Sequence, residues 1–364
     1  MEKRKIRVAV GMSGGVDSAM TASLLLEQGY DVFGITMQIW NNSYNLGEKI
    51  RSGCFGPGEA EDIKDAKSIA DRLGIEHHVI SLAEEYEKEV LNYYRNEYVS
   101  GRTPNPCVVC NLKMKFGLLL DRAEKSGLKF DYFATGHYAR ILKNQNTGKF
   151  HLLKAIDQAK DQSYFLYSLT QDVLARTLFP LGERLKKDII ALAHKKGFED
   201  IASKEESQDF IECKDHSPLF KENDSKPGPI VDTAGKLLGY HRGLIHYTIG
   251  QREGLGVAVG EKVYVKEIRT QTNTLVVAPK EEVFRVSCIV GNLRWIAGDT
   301  PSSANFACKA RTRYRQKEFP AKVSILPEGY AEVLFDEPQF AITPGQSAVF
   351  YDGDEILGGG VIER

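Results

Sequence analysis

The chain reads as an α/β protein: an N-terminal doubly wound parallel sheet followed by two small, mostly-β domains. Three observations predict this. Short apolar strands alternate with helix-period segments from Lys5 to about Ala139, the pattern of a parallel sheet covered on both faces. A polar stretch with three prolines follows, Ser217 to Pro229. Beyond it helical periodicity gives way to short alternating runs punctuated by proline, as in small barrels and sandwiches. The boundaries expected are residues 1–215, 216–282 and 283–364.

Ile6 to Val10 is a buried strand, and Ala19 to Gln28 is a helix with Leu24, Leu25 and Leu26 toward the core. Between them lies Gly11-Met12-Ser13-Gly14-Gly15-Val16-Asp17-Ser18. Glycines permit a sharp turn whose amides point at an oxyanion, and the helix behind adds its positive dipole end. It is not a Walker A loop, because no lysine follows the second glycine in the required place, and it is not GxGxxG. Asp31 to Met37 is a second strand, Glu59 to Leu73 a helix, His77 to Ser81 a third strand, Glu84 to Tyr98 a helix, and Asp131 to Thr135 a further strand. Ligands bind at the carboxyl ends of such strands, where the turn, Met37 and Gly136 fall. Asn41 to Gly58 is rich in Asn and Gly and reads as a loop. Gln171 to Leu178 and Lys186 to Lys196 read as helices. Lys262–Ile268 and Thr274–Val277 form a hairpin, and short strands continue from Val283 to Arg364.

At 364 residues, with 42% hydrophobic and 27% charged residues, the chain is an ordinary globular protein. No apolar run approaches membrane-spanning length, and the polar start lacks a signal-peptide core. Six cysteines are too sparse for a disulfide framework, so a cytoplasmic setting without membrane attachment, with thiol or metal chemistry, is expected. The net charge of −1 argues against bulk nucleic-acid binding. Locally, six basic residues between Lys309 and Lys322 face one acid, Glu318. Arg311, Arg313 and Arg315 share a face if this is a strand, which suits phosphates; an edge strand guarded by charge is the alternative.

Two further stretches carry chemistry. In Thr103-Pro104-Asn105-Pro106-Cys107-Val108-Val109-Cys110-Asn111 two thiols three apart can meet a metal, form a redox pair or supply a nucleophile. A helix, Leu112 to Lys125, begins directly after Cys110, whose thiol then feels the helix N-terminus and favours thiolate. The polar segment Lys204 to Cys213 adds a thiol. Cys288 and Cys308 read as small core residues of strands. Cys54 stays open, and His194, His216, His241 and His246 default to solvated or structural roles.

The order Ser13-Gly14-Gly15-Val16-Asp17-Ser18 resembles the PP-loop of ATP pyrophosphatases, which implies a Rossmann-like domain that adenylates a carbonyl oxygen. With Asn105-Pro106-x-x-x-Cys110-Asn111, Ala134–Arg140, Lys160–Leu166, Glu206–Asp209, Tyr247–Arg252, Arg313-Tyr314-Arg315 and Pro344-Gly345-Gln346 in sequence, the chain resembles the tRNA-uridine 2-sulfurtransferase (2-thiouridylase) family from end to end. The resemblance implies a tRNA substrate whose wobble uridine is adenylated at its position-two carbonyl and then attacked by sulfur. ATP would lie over Gly11, Met12, Ser13, Gly14, Gly15, Val16, Asp17 and Ser18, with Met37 and Gly136 nearby and Asp17 helping to hold Mg2+. Cys110 would be the catalytic thiol. Asn105, Pro106 and Cys107 would meet the target base with His137 beside it, and Lys160, Asp161, Gln162, Tyr314, Arg315 and Gln346 would contact tRNA. A sulfur-carrier protein or cysteine desulfurase relay would deliver the sulfur. Another PP-loop adenylating enzyme acting on RNA is the alternative.

The chain departs from the family twice. Asp is common where this chain has Cys107, and the persulfide Cys is common at what is here Ile211, the nearest thiol being Cys213. Cys213 as the persulfide carrier is one reading. Related PP-loop thiolases hold a 4Fe–4S cluster on a CxxC pair and a distant Cys, and Cys107, Cys110 and Cys213 follow that arrangement. The double departure favours a cluster over a disulfide-cycling pair, with structural zinc a weaker third reading.

Overall fold

A computed structural model describes residues 4–46, 53–204, 209–213, 215–258 and 260–364. β1 (Arg7–Gly11), α1 (Val16–Glu27), β2 (Asp31–Gln38), β3 (Gly53–Phe55), α2 (Glu59–Leu73) and β4 (His77–Ser81) open the chain. A helix over residues 83–99 and another over 106–125 then lead to β5 (Tyr132–Ala134). The main sheet is parallel in the order β4-β2-β1-β5, with the short β8 (Thr177–Leu178) beyond β5. Val8, Ala9 and Val10 of β1 are wholly buried because strands flank it and helices cover both faces. β1 therefore delivers its carboxyl end to the middle of the sheet.

Several elements differ from the sequence expectation. The helix expected from Leu112 begins at Pro106, with Asn105 as its N-cap residue. Proline costs nothing at a first turn, where its missing N–H is an orphan in any case. The helix expected over Gln171–Leu178 stops at Ala175, and Thr177–Leu178 joins the sheet as its edge. Within Asn41–Gly58, β3 pairs in parallel with β9 (Asp209–Ile211).

The polar connector is fastened by aromatic packing: Phe220 and His216 meet Tyr94 and Tyr98 in edge-on or tilted contacts. β10 (Gly228–Val231), β11 (Leu237–His241), β12 (Val263–Arg269) and β13 (Thr274–Pro279) then form a sheet ordered β11-β10-β13-β12 around Ile230, Tyr247, Val265, Leu275 and Val277. The last unit is a closed six-strand barrel. It comprises β14 (Phe284–Trp295), β15 (Asn305–Arg311), β16 (Phe319–Leu326), β17 (Tyr330–Phe340), β18 (Ser347–Asp352) and β19 (Glu355–Ile362), and β14–β19 pairing shuts it.

One feature had no sequence signal. The hairpin β6 (Ala139–Lys143) and β7 (Phe150–Lys154), although it follows β5 directly, pairs with β19 and extends the barrel's sheet. Two ion pairs, Lys154 with Glu318 at 3.1 Å and Arg140 with Asp354 at 2.9 Å, and a hydrogen bond between His151 Nδ1 and Glu355 at 2.5 Å fasten the join. Lys154 and Glu318 are almost wholly buried, so each compensates a charge that could not otherwise leave water.

Candidate active site

The glycine turn ends β1 and starts α1. Gly14 adopts φ +77°, and a Cβ there would lie 2.7 Å from the Asp62 carbonyl oxygen. Only glycine meets both demands. Gly15 caps α1 with no side-chain hydrogen bond, so the first-turn amides stay available to an anion. The turn is tied internally: Ser18 Oγ donates to the Gly15 carbonyl at 2.9 Å, Thr36 Oγ1 donates to the Met12 carbonyl at 2.7 Å, and His77 Nε2 meets Thr36 Oγ1 at 2.8 Å. Gly136 abuts the helix start, where an added Cβ would lie 2.9 Å from Asp17. Met37, half-buried, stands at the same end of β2.

The Asp17 carboxylate is engaged. Lys186 Nζ sits 2.8 Å from both of its oxygens, and the Tyr138 hydroxyl donates to Oδ1 at 2.9 Å. Sequence reasoning missed Lys186, which opens a helix (Lys186–Lys195) whose apolar period alone was legible. A lysine at the mouth of an anion cradle supplies charge for a polyphosphate.

Beside the cradle lies a thiol centre. Cys107 falls in the first turn of the Pro106 helix and Cys110 one turn inside it. The expected thiolate at Cys110 is thus corrected: burial pushes its pKa up to about 11, and the Lys115 ammonium offsets this only in part. The acidic groups acting on Lys115 are Cys110, Cys54 and Cys107, and the same three act on the buried Tyr86 hydroxyl. Lys115 and Cys54 thus lie within electrostatic range of Cys107 and Cys110, a grouping that the sequence alone did not indicate. His137 Nδ1 meets Thr135 Oγ1 at 2.7 Å, and its ring lies against Phe116 and Phe179. Burial and the nearby Lys115 hold it well below 6.5, a neutral imidazole at physiological pH.

All three structural units meet at the loop before Cys107. Thr103 N donates to the Pro344 carbonyl at 2.9 Å, and its hydroxyl meets Thr248 Oγ1 at 2.5 Å. Gln346 Nε2 donates to the Pro104 carbonyl at 2.8 Å, so its amide faces the protein. Asn105 is buried, its N–H donating to the Tyr93 hydroxyl at 3.0 Å. Asn111 Nδ2 donates to the Phe165 carbonyl at 3.2 Å, while its buried Oδ1 has no hydrogen-bond partner among the described residues.

The structure brings Lys160–Leu166 and Arg313–Arg315 together, with the Tyr314 ring centroid 4.4 Å from that of Phe165. It does not build the expected phosphate ladder. β15 ends at Arg311, which turns inward to Glu318 (3.1 Å) and Asp161 (4.0 Å). Arg313 is enclosed and donates to the Ile249 carbonyl at 2.8 Å. Arg315, Lys309, Lys317 and Lys322 are exposed. Asp161 is buried, taking N–H bonds from Ala155 and Ser163, and Gln162 Oε1 accepts from Tyr138 N at 3.0 Å; both brace the turn before Tyr164. Lys160 is half-buried.

Glu206, Ser207 and Gln208 lie outside the described residues. Cys213 is 4% exposed, and its Sγ donates to the Asp215 carbonyl at 3.0 Å. Among the described residues no three His, Cys, Asp or Glu side chains converge as a metal-holding group. Cys107, Cys110 and Cys213, as they stand, do not fit a 4Fe–4S cluster or zinc. Cys288 and Cys308 contribute to the barrel core. His216, His241 and His246 hydrogen-bond Tyr94, the Asn273 carbonyl and Ser225, which are structural roles. No helix among the described residues is long and apolar enough to cross a membrane.

Residues 6–213 match the family profile described as the tRNA methyl transferase HUP domain. Residues 218–279 match its PRC-barrel domain and 285–362 an aminomethyltransferase β-barrel domain. The chain is similar along its length to proteins named for thiolation instead. It is 45% identical to the tRNA-specific 2-thiouridylase MnmA of Carboxydothermus hydrogenoformans, covering 98% of both chains. It is 44% identical to that of Acetivibrio thermocellus, covering all of both. A solved U34-tRNA thiolase NcsA of Methanococcus maripaludis, with its [4Fe-4S] cluster, is 21% identical at a TM-score of 0.33, covering 54% of this chain and 58% of that one, a likeness too distant to bear on the site. With two full-length relatives and a profile over residues 6–213, the chain belongs to the tRNA-specific 2-thiouridylase family.

Proposed function

We propose that this protein 2-thiolates the wobble uridine of tRNA, using ATP to activate the base carbonyl. The observation that carries the reading is the Gly136-His137 step, which joins an uncapped, glycine-turned helix start to the helix bearing Cys107 and Cys110: Gly136 abuts Asp17, and the His137 ring lies against Phe116. A uracil oxygen is a poor leaving group. Adenylation makes it a good one, and a sulfur nucleophile then displaces AMP.

In this reading the first-turn amides of α1 and Lys186 take the phosphates, and the base oxygen attacks the α-phosphorus. Pyrophosphate leaves toward the cradle. Asp17, freed from Lys186 by the polyphosphate, would be the residue to hold Mg2+, which would offset the phosphate charge there. The uracil leaves its stack to enter beside Asn105, Pro106 and Cys107. Neutral His137 offers a ring nitrogen there without adding charge, and Cys110 handles the incoming sulfur. Lys160, Tyr314 and Arg315 guide the RNA, while Asp161, Gln162 and Gln346 act by shaping its seat. The sulfur arrives as a persulfide from a carrier protein or desulfurase.

The test is tRNA-dependent formation of AMP and pyrophosphate together with 2-thiouridine, identified by nucleoside mass spectrometry. Cys110→Ser is expected to abolish 2-thiouridine while adenylation persists. A variant that thiolates as fast as the native chain sinks the assignment of Cys110.

A further inference from the structure

We propose that Cys54, not Cys213, is the second sulfur-handling thiol of this chain, and that it releases the finished 2-thiouracil from Cys110. This rests on the thiouridylase reading above and goes beyond it in naming the residue.

Ile211 stands where the family resemblance puts a cysteine. It is buried on β9, and the ladder pairs it with Phe55 of β3, as it pairs Asp209 with Gly53. The strand next to the missing thiol therefore carries Cys54. Gly53 and Phe55 are buried and Cys54 between them is exposed, as alternation along a strand requires. Phe55 faces inward and stacks on Tyr86 with ring centroids 5.4 Å apart. The same Tyr86 hydroxyl lies within electrostatic reach of Cys54, Cys107 and Cys110, as does the Lys115 ammonium. Lys115 has no carboxylate partner among the described residues. A cation set among thiols offsets part of the burial that holds Cys110 protonated, and so eases exchange between them.

Two buried carboxylates hold the segment. Glu59 accepts the N–H groups of Ile39 (2.7 Å) and Trp40 (3.0 Å), and Glu212 accepts that of Gly58 at 2.8 Å. Cys213, by contrast, is buried beyond the end of β9 with its thiol turned to the Asp215 carbonyl.

The chemistry balances with a persulfide donor and a dithiol reductant as co-reactants. The Cys110 thiolate takes the donor's outer sulfur, giving a Cys110 persulfide and releasing the donor thiolate. The outer sulfur attacks C2 of the adenylated base; the C–S bond forms, the C–O bond breaks, and AMP leaves. Cys54, having given its proton to solvent, attacks Cys110 Sγ. The S–S bond breaks with its electron pair on the sulfur attached to C2, leaving 2-thiouridine and a Cys54–Cys110 disulfide. The dithiol returns two electrons and two protons.

The experiment is a single turnover of the reduced full-length chain with a tRNA transcript, Mg–ATP and either glutathione persulfide or sodium sulfide, the dithiol being left out because it would itself open the bond between Cys110 and the tRNA. Sulfide already carries fully reduced sulfur and needs no resolving thiol. Cys54→Ser and Cys54→Ala are expected to lose nearly all 2-thiouridine formation with persulfide, because no other thiol then opens the bond between Cys110 and the transferred sulfur. They should release AMP normally, trap tRNA on Cys110 through a reducible bond, and return to near the native rate with sulfide. That return shows that they are folded. Cys213→Ser should behave as the native chain with both sources. In the native chain that turnover with persulfide should leave a disulfide whose peptides map to Cys54 and Cys110, which a dithiol added afterwards removes. The proposal is overturned if the Cys54 variants keep the native rate with persulfide, if sulfide fails to rescue them, or if the disulfide maps to Cys107 or Cys213. It also fails if anaerobically purified protein holds about four irons that are lost in Cys107→Ala. If the native chain makes no 2-thiouridine from either source, the thiouridylase reading itself falls, and this proposal with it.

Discussion

Replacing Lys186 with Met tests how the cradle balances its charge. In the native chain the Lys186 ammonium lies 2.8 Å from both oxygens of Asp17, with only 12% of the lysine side chain and 28% of the aspartate exposed. Removing it leaves a carboxylate that keeps the Tyr138 phenol but no cation bonded to it, at the helix start where a polyphosphate must bind. An unbalanced carboxylate about 5 Å from a phosphate costs about 3 kcal/mol at an effective dielectric constant of about 20, or roughly a hundredfold in affinity. The KM for ATP in the AMP-release assay should rise by about that factor. Adding Asp17→Asn should then recover about tenfold of ATP affinity by calorimetry, because it removes the repelling charge even as it removes a magnesium ligand. A KM within about threefold of the native value, or a double variant that binds ATP no better than Lys186→Met, would refute the electrostatic account.

Other outcomes follow from the same geometry. Gly136→Ala should push the start of α1, since its Cβ would fall 2.9 Å from Asp17; a cost of about 1–3 kcal/mol is expected, read as a lower melting temperature and weaker ATP binding together. Arg313→Ala should destabilise the fold by about 2–4 kcal/mol in denaturant titrations by stranding the Ile249 carbonyl. Arg315→Ala should leave stability unchanged, weaken tRNA binding and lower its salt dependence by about one ion. Cys110 alkylation should climb about tenfold per pH unit toward pH 11, and Lys115→Met should move that midpoint higher. Burial also pushes Cys288 and Cys308 up to about 12 from the ordinary 9.0. A raised thiol pKa means that the folded state holds the proton more tightly. The stability so gained is complete below pH 9 and lost as pH climbs toward 12, so the melting temperature should be level below pH 9 and fall above it.

How much could be read from the sequence depends on the range of the interactions that decide each feature. The turn at Gly14 was legible because a positive φ at a strand–helix junction is a local demand that glycine meets. The parallel sheet covered on both faces followed from alternation, whereas the order of its strands did not. The join of Ala139–Lys154 to β19 did not, because a hairpin's own pattern is the same whichever sheet it enters. Charges between Lys309 and Lys322 were countable, but their directions were not: β15 ends at Arg311, and the next residues form a turn that folds Arg313 inward. Lys186 was hidden by distance, 169 residues from the carboxylate it pairs with. The Pro106 helix was misplaced by six residues because two prolines suggested a stiff loop, when one of them starts the helix.

The hairpin that follows β5 of the parallel sheet in the chain but pairs with the barrel sets a fixed gauge. With Leu152 and Leu153 hydrogen-bonded into register with Ile356 and Glu355, the barrel is no tethered arm that swings to find its substrate. A guest clamped by the exposed lysines and Arg315 would be presented to Cys110 at one height and one angle, like stock held in a machinist's jig. Length discrimination then needs no reading of sequence: an RNA whose looped-out base falls a few ångströms short of the thiol simply goes unmodified. It also means that the chain cannot be divided at residue 283 and its halves exchanged with those of a relative unless strands β6 and β7 travel with the barrel.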